Sequence, residues 1–90
     1  MAAYPFGGHP TLGQYLDWAI KEGCTVDYGY AADDEGRPHR VIKITAPSKR
    51  WVFEVGTLDS EFLVPTTIWR LDRRLGLKSP WVALPGKDLA

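Results

Sequence analysis

His39 is the residue of this chain best suited to proton transfer. It follows a charged turn and precedes a run rich in β-branched residues, so it is expected at the exposed start of a strand. A free imidazole titrates at about pH 6.5, so it can take or give a proton at cellular pH. Cleavage of RNA by its own 2′-hydroxyl needs such a group. His9 lies in a Gly- and Pro-rich segment without partners. The alternative for His39 is an ordinary polar residue at a strand edge.

A second set of residues suits phosphate binding, which needs cations spread along one face. The candidate RNA-binding residues are Arg37, Lys43, Lys49, Arg50, Arg70, Arg73 and Arg74, and the same basic group includes Arg40 and Lys78. Strand alternation turns Lys43 towards the open side of a sheet and Arg40 away from it. The alternative is a solvated charge set that keeps a small domain soluble.

The remaining motifs give no metal or cofactor site. Cys24 occupies an inward strand position and is expected to be a small hydrophobic residue, not a nucleophile. No Cys or His pair has metal-ligand spacing, and the acidic run 33–35 lacks the ordered oxygens of a calcium loop. Phosphate loops, nucleophile elbows and dinucleotide motifs are absent from the sequence.

Composition narrows the class of protein. Ninety residues with 44% hydrophobic content predict one globular domain. We expect no membrane segment and no secretory leader, and one cysteine favours the cytoplasm. Zero net charge excludes a uniformly cationic nucleic-acid binder. Residues 1–36 carry six acids and one base (−5), and residues 37–90 carry ten bases and five acids (+5). Either the fold keeps a basic face or interleaved strands mix the two halves.

Two helices are predicted from their ends and their apolar stripes. The first spans 12–22, with a capping box at Thr11 and Gln14 and a left-handed stop at Gly23. Its stripe is Leu12, Tyr15, Leu16, Ala19 and Ile20. The second starts near Pro65 and ends at Gly76. Its stripe is Ile68, Leu71 and Leu75.

Three strands are predicted between the helices, over 24–30, 39–45 and 51–55, joined by short turns as in an antiparallel meander. The fold class is therefore α+β, a two-layer α-β-β-β-α sandwich with both helices on one face of the sheet. Residues 11–77 form the domain, 1–10 a flexible N-terminal segment, and 78–90 a C-terminal tail or short edge strand.

Four tryptophans are many for this length. Trp51 is expected in the core, Trp18 and Trp69 beside their helix stripes, and Trp81 in a tail that folds onto the sheet. Half-buried indoles are typical of interfaces, so a homodimer through a Trp-bearing surface is one hypothesis. The alternative is that a small core uses them as bulk.

Three segments of the chain carry a resemblance to a known family. In the first, the first helix runs into Glu22-Gly23 and a strand. The second is 36–44 (GRPHRVIKI), and the third is 48–53 (SKRWVF), followed by 66–68 (TTI) and the helix to 75–77 (LGL). Over about residues 11–77 the chain thus resembles the HicA family, small bacterial toxins with a double-stranded-RNA-binding-domain-like fold, and segment 36–44 resembles the family's Gly-Ser-His segment that opens strand two.

The resemblance implies that His39 takes part in mRNA cleavage, that the basic sheet and helix surface binds the RNA, and that an antitoxin protein neutralises the toxin. Two hypotheses follow. The first is an RNA-binding protein that also cleaves RNA, which the order of elements favours. The second is a non-catalytic module for self-association or a protein partner, which the acidic residues 33–35 favour.

Overall fold

The computed structural model describes residues 9–81. It confirms the α+β class and the predicted order of elements. They are α1 (Leu12–Lys21), β1 (Thr25–Ala32), β2 (Pro38–Thr45), β3 (Trp51–Val55) and α2 (Pro65–Leu75). The three strands form one antiparallel sheet in the order β1-β2-β3. Residues 1–8 and 82–90, which include most of the predicted N-terminal segment and C-terminal tail, lie outside the described residues.

The predicted capping box starts α1. The Gln14 amide donates to Thr11 Oγ1 at 3.1 Å, and the Thr11 amide donates to Gln14 Oε1 at 2.8 Å. Gly23 ends the helix region with a φ of +97°. The predicted stripe is buried except for Ile20, which is exposed. At 3.6 residues per turn Ile20 points roughly 90° away from the centre of the buried stripe, which explains the wrong assignment.

Helix α2 begins with Pro65 in its first turn and ends at Gly76, whose φ of +71° is left-handed. The Leu77 amide then donates to the Asp72 carbonyl at 2.9 Å, as in a Schellman motif. The predicted stripe of this helix is fully buried. Both helices share one core with the sheet, so both cover the same face.

Strand pairing assigns each residue to a face of the sheet. Ile44 lies between Val26 and Val52 in the hydrogen-bonded register, and all three contribute to the packing against the helices. Residues one position away in each strand therefore point to the uncovered side. Tyr28 and Tyr30 lie on the helix side but are exposed.

The prediction that Trp51 is a core residue is wrong. Trp51 pairs with Thr45 and is 48% exposed on the uncovered side, whereas its neighbour Val52 is only 2% exposed. Glu54 also faces the helices, where it accepts hydrogen bonds from Arg70 at 2.5 Å and Thr57 at 2.7 Å. These bonds satisfy the hydrogen-bonding capacity of a buried carboxylate. Because Glu54 can therefore face the helices, Trp51 and Phe53 point to the uncovered side.

Trp81 is buried on the helix layer. The prediction put it on the sheet, but its ring neighbours are Tyr15 and Trp18 of α1, each with centroids 6.0 Å away. Pro10, within the segment predicted to be flexible, is also buried, and its carbonyl accepts from the Leu63 amide at 2.8 Å.

Candidate functional site

The two turns that flank β2 lie at opposite ends of the sheet. The turn 33–37 precedes β2 and the turn 46–50 follows it. His39 and Thr45 are six residues apart along the strand, which corresponds to roughly 20 Å at about 3.3 Å per residue. This separation decides which candidate residues can act together.

Cations gather at the end that contains the turn 46–50. This basic end consists of Lys49, Arg50, Arg73, Arg74 and Lys78, all exposed. Arg50 Nη2 donates to the Arg73 carbonyl at 3.2 Å, which joins the turn to the last turn of α2. A Cβ at Gly76 would lie 3.0 Å from Arg50 Nη1, so the guanidinium packs directly against this glycine.

Little negative charge offsets the basic end. Within residues 9–81, no salt bridge links any of its five cations to a carboxylate. Pro47 of the turn lies close to Gly23, which brings Glu22 to this end together with Lys21. Those two charges cancel. The buried carboxylate of Asp72, next to Arg73, and the C-terminal dipole of α2, worth about half a charge, offset part of the five cations, so a net positive potential remains.

The other end of the sheet is acidic and centres on Asp33. Its Oδ1 accepts from the amides of Glu35 and Arg37, each at 2.9 Å, and its Oδ2 lies 2.9 Å from His39 Nε2. Arg37 also pairs with Glu35 and, at 3.4 Å, with Asp33. The bond with His39, followed by the Arg37 amide, lowers the pKa of Asp33 below its ordinary value.

His39 is exposed and sits among carboxylates, away from the basic end. Its contact with Asp33 through Nε2 leaves Nδ1 for a further partner. A carboxylate that orients an imidazole in this way is common in acid–base sites. Sequence reasoning missed Asp33, although the turn that joins β1 to β2 places a residue just before it near one just after it.

The structure divides the predicted phosphate-binding residues into three groups. Lys49, Arg50, Arg73 and Arg74 come together at the basic end. Two others form ion pairs with carboxylates: Arg37 with Asp33 and Glu35, and Arg70 with Glu54 at 2.5 Å. Lys43 lies on the uncovered side of the sheet, apart from the other cations and opposite Asp27 of β1. The related Arg40 pairs with Asp59 at 2.7 Å and stacks over Tyr28, as its inward position predicts.

The uncovered side of the sheet, called the open face below, is largely apolar. Trp51 and Phe53 lie with ring centroids 5.1 Å apart and planes at 63°, and Lys43 Nζ is 5.3 Å from the Trp51 centroid. A shallow groove of about 480 Å³ continues over Val41 and Val55. Arg50 immediately precedes Trp51, so the basic end adjoins the start of β3, although the Arg50 side chain itself points towards α2.

Three buried polar groups, on Asp72, Tyr15 and Cys24, have structural roles. Asp72 accepts from the Tyr15 hydroxyl at 2.6 Å and from the Ser79 amide and hydroxyl at 2.9 and 2.6 Å. Burial and the bond to Asp72 raise the pKa of Tyr15. Burial, with a smaller effect of Glu22, raises the pKa of Cys24, so the thiol stays protonated and is a poor nucleophile.

Among residues 9–81, no three His, Cys, Asp or Glu side chains are grouped as metal ligands. In the same part of the chain neither helix has the length and apolar character needed to cross a membrane. Comparisons of the chain with protein-family models and with curated proteins, and of its fold with solved structures, found no match.

Proposed function

We propose that the protein binds RNA, with the basic end as its phosphate-binding surface. The observation that carries this proposal is a group of five exposed cations from the turn 46–50, the last turn of α2 and the segment that follows α2, without a salt bridge to any carboxylate described by the structure. A polyanion gains from such a patch because bound cations release the counterions that surround phosphates.

The charge arrangement also restricts where RNA can bind on the molecule. The acidic end repels phosphates, whereas the basic end, which lies roughly 20 Å away along β2, attracts them. Zero net charge is thus compatible with binding on one end of the molecule. The resemblance to HicA toxins and the cytoplasmic location inferred from a lone cysteine point to RNA as the polyanion.

Cleavage of the RNA is a second candidate function, which the contact between His39 and Asp33 favours. An exposed imidazole with one nitrogen held by a carboxylate can exchange a proton through the other nitrogen. The acidic surroundings of this pair weigh against it, because an RNA held at the basic end must reach across the open face. If cleavage occurs, an antitoxin protein is the expected partner, as in the HicA family.

Titration of a short fluorescein-labelled RNA at low salt tests binding by fluorescence anisotropy. We expect saturable binding that weakens when Arg73 and Arg74 are both changed to Gln. Absence of binding at low salt would exclude the proposal. Incubation of RNA with the wild-type protein and with His39→Ala tests the second function. Cleavage that depends on His39 would support it, and intact RNA with both proteins would exclude it.

A further inference from the structure

We propose that the RNA is bound as a single strand, with its bases stacked on Trp51 and Phe53 of the open face. This inference rests on the RNA binding proposed above and names the form of RNA and the way its bases are held. Both rings lie on β3, which begins at the basic end, so one RNA strand that passes around the end of the sheet can contact the cations and then the aromatic rings.

Both rings present exposed surface, although a base that stacks on the Trp51 face under Lys43 must displace the Lys43 ammonium group. Trp51 is 48% exposed and Phe53 is 45% exposed, on a face that neither helix covers. Their inclined contact, with ring planes at 63°, supports both rings from the side and leaves surface open to a base. Base–aromatic stacking tolerates any sequence because every base has a π face, but it requires bases that are not paired in a duplex.

Charge favours a nucleic acid over a protein as the occupant of this face. Lys43 lies in the middle strand between Asp27 and Phe53, and its ammonium group sits over Trp51. Lysine is depleted from the centres of protein interfaces, whereas it suits a phosphate that runs beside stacked bases. Lys49 is exposed in the turn that precedes β3 and adds positive charge at this end of the sheet, whereas the Arg50 side chain points towards α2.

Asp27 sets the path of the strand. It pairs with Lys43 in the register and is exposed, so it adds a negative charge on the β1 side of the open face. An RNA backbone is therefore held towards β3, away from β1. Removing this charge without changing the size of the residue, by Asp27→Asn, is expected to strengthen binding of single-stranded RNA.

The test measures the affinity of the full chain for an unstructured RNA and for a duplex of the same sequence. The variants are Trp51→Leu and Phe53→Leu, and the control is Phe62→Leu, which removes an aromatic ring of similar exposure from the segment between β3 and α2. Circular dichroism checks that each variant is folded. We expect Trp51→Leu to weaken single-strand binding by about 5- to 100-fold. The dependence of the logarithm of the association constant on the logarithm of salt concentration should keep the same slope, since no phosphate contact is lost.

Tighter binding of the single strand than of the duplex, weakened by Trp51→Leu and unaffected by Phe62→Leu, would support the inference. Equal binding of single strand and duplex, or unchanged affinity in Trp51→Leu, would overturn it while RNA binding itself stands. Failure of the wild-type protein to bind either RNA would remove both proposals. If neither RNA binds, sedimentation measures the oligomeric state of the wild type and of Trp51→Leu. A wild-type dimer that the substitution dissociates would assign the open face to a second copy of the chain.

Discussion

Arg50 and Arg73 are joined by a hydrogen bond of 3.2 Å from the Arg50 guanidinium to the Arg73 main-chain carbonyl. The bond gives a second donor to a carbonyl at the end of α2 that also accepts from the Gly76 amide at 3.4 Å, and it keeps two cations together despite their repulsion. The same contact therefore stabilises the helix end and concentrates positive charge where β3 begins. Placing charge in this way requires the tertiary fold, because the two residues are 23 positions apart.

The orientation of β3 is tested by two alanine substitutions of the same residue type. Val52→Ala should lower the free energy of unfolding by about 2 kcal/mol, because it removes two buried methyl groups and leaves a cavity. Val55→Ala should change it by less than about 0.5 kcal/mol, because Val55 is 56% exposed. Urea unfolding measures both values. A larger loss for Val55→Ala would mean that the strand faces the other way.

Tyr15 and Asp72 form a buried hydrogen bond between the two helices. Tyr15→Phe should destabilise the protein by about 1–3 kcal/mol, because a buried carboxylate loses one of its donors. Tyr28→Phe is the matched control, since Tyr28 is exposed and phenylalanine retains the stacking under Arg40. Equal stability of the Tyr15 variant and the wild type in urea would show that this bond does not hold the helices together.

The acidic end should stabilise the fold in a pH-dependent manner. The lowered pKa of Asp33 means that its charged form is favoured in the folded state. Its contribution is therefore complete above the ordinary pKa of an aspartate and disappears as pH falls through the lowered value. Asp33→Asn should reduce the melting temperature at pH 7, and the difference from wild type should shrink in acid. Asp34→Asn serves as the control, and a difference that persists in acid would contradict this assignment.

The helices follow from local signals in the sequence. The Thr11 cap, the left-handed glycines and the periodic apolar residues each act within a few positions of the chain, so their pattern is readable without the fold. The faces of β3 are not readable in this way. Burial of Glu54 depends on Arg70, which lies 16 residues later in the chain. The size and apolar character of Trp51 suggest a core position, but the strand register places it on the uncovered side.

The candidate site was less predictable than the fold for the same reason. The sequence identifies His39 and the basic residues as chemically capable, but only strand pairing reveals that they lie at opposite ends of β2. Lys49 and Arg50 adjoin the end of α2 through tertiary contacts. Asp33 meets His39 across a turn whose geometry is set by the Asp33 side chain itself. The charge imbalance between the two halves of the chain thus becomes a separation in space.

The salt dependence of RNA affinity tests the role of the basic end most directly. If about four phosphates are neutralised, the logarithm of the association constant should fall with the logarithm of salt with a slope near about −3 for a single strand. Changing Arg73 and Arg74 to Gln should make the slope shallower by roughly 1.4. Arg37→Gln, which removes an exposed cation from the acidic end, should leave the slope unchanged. A flat salt dependence, or equal slopes for the wild type and the Arg73 and Arg74 variant, would contradict phosphate binding at the basic end.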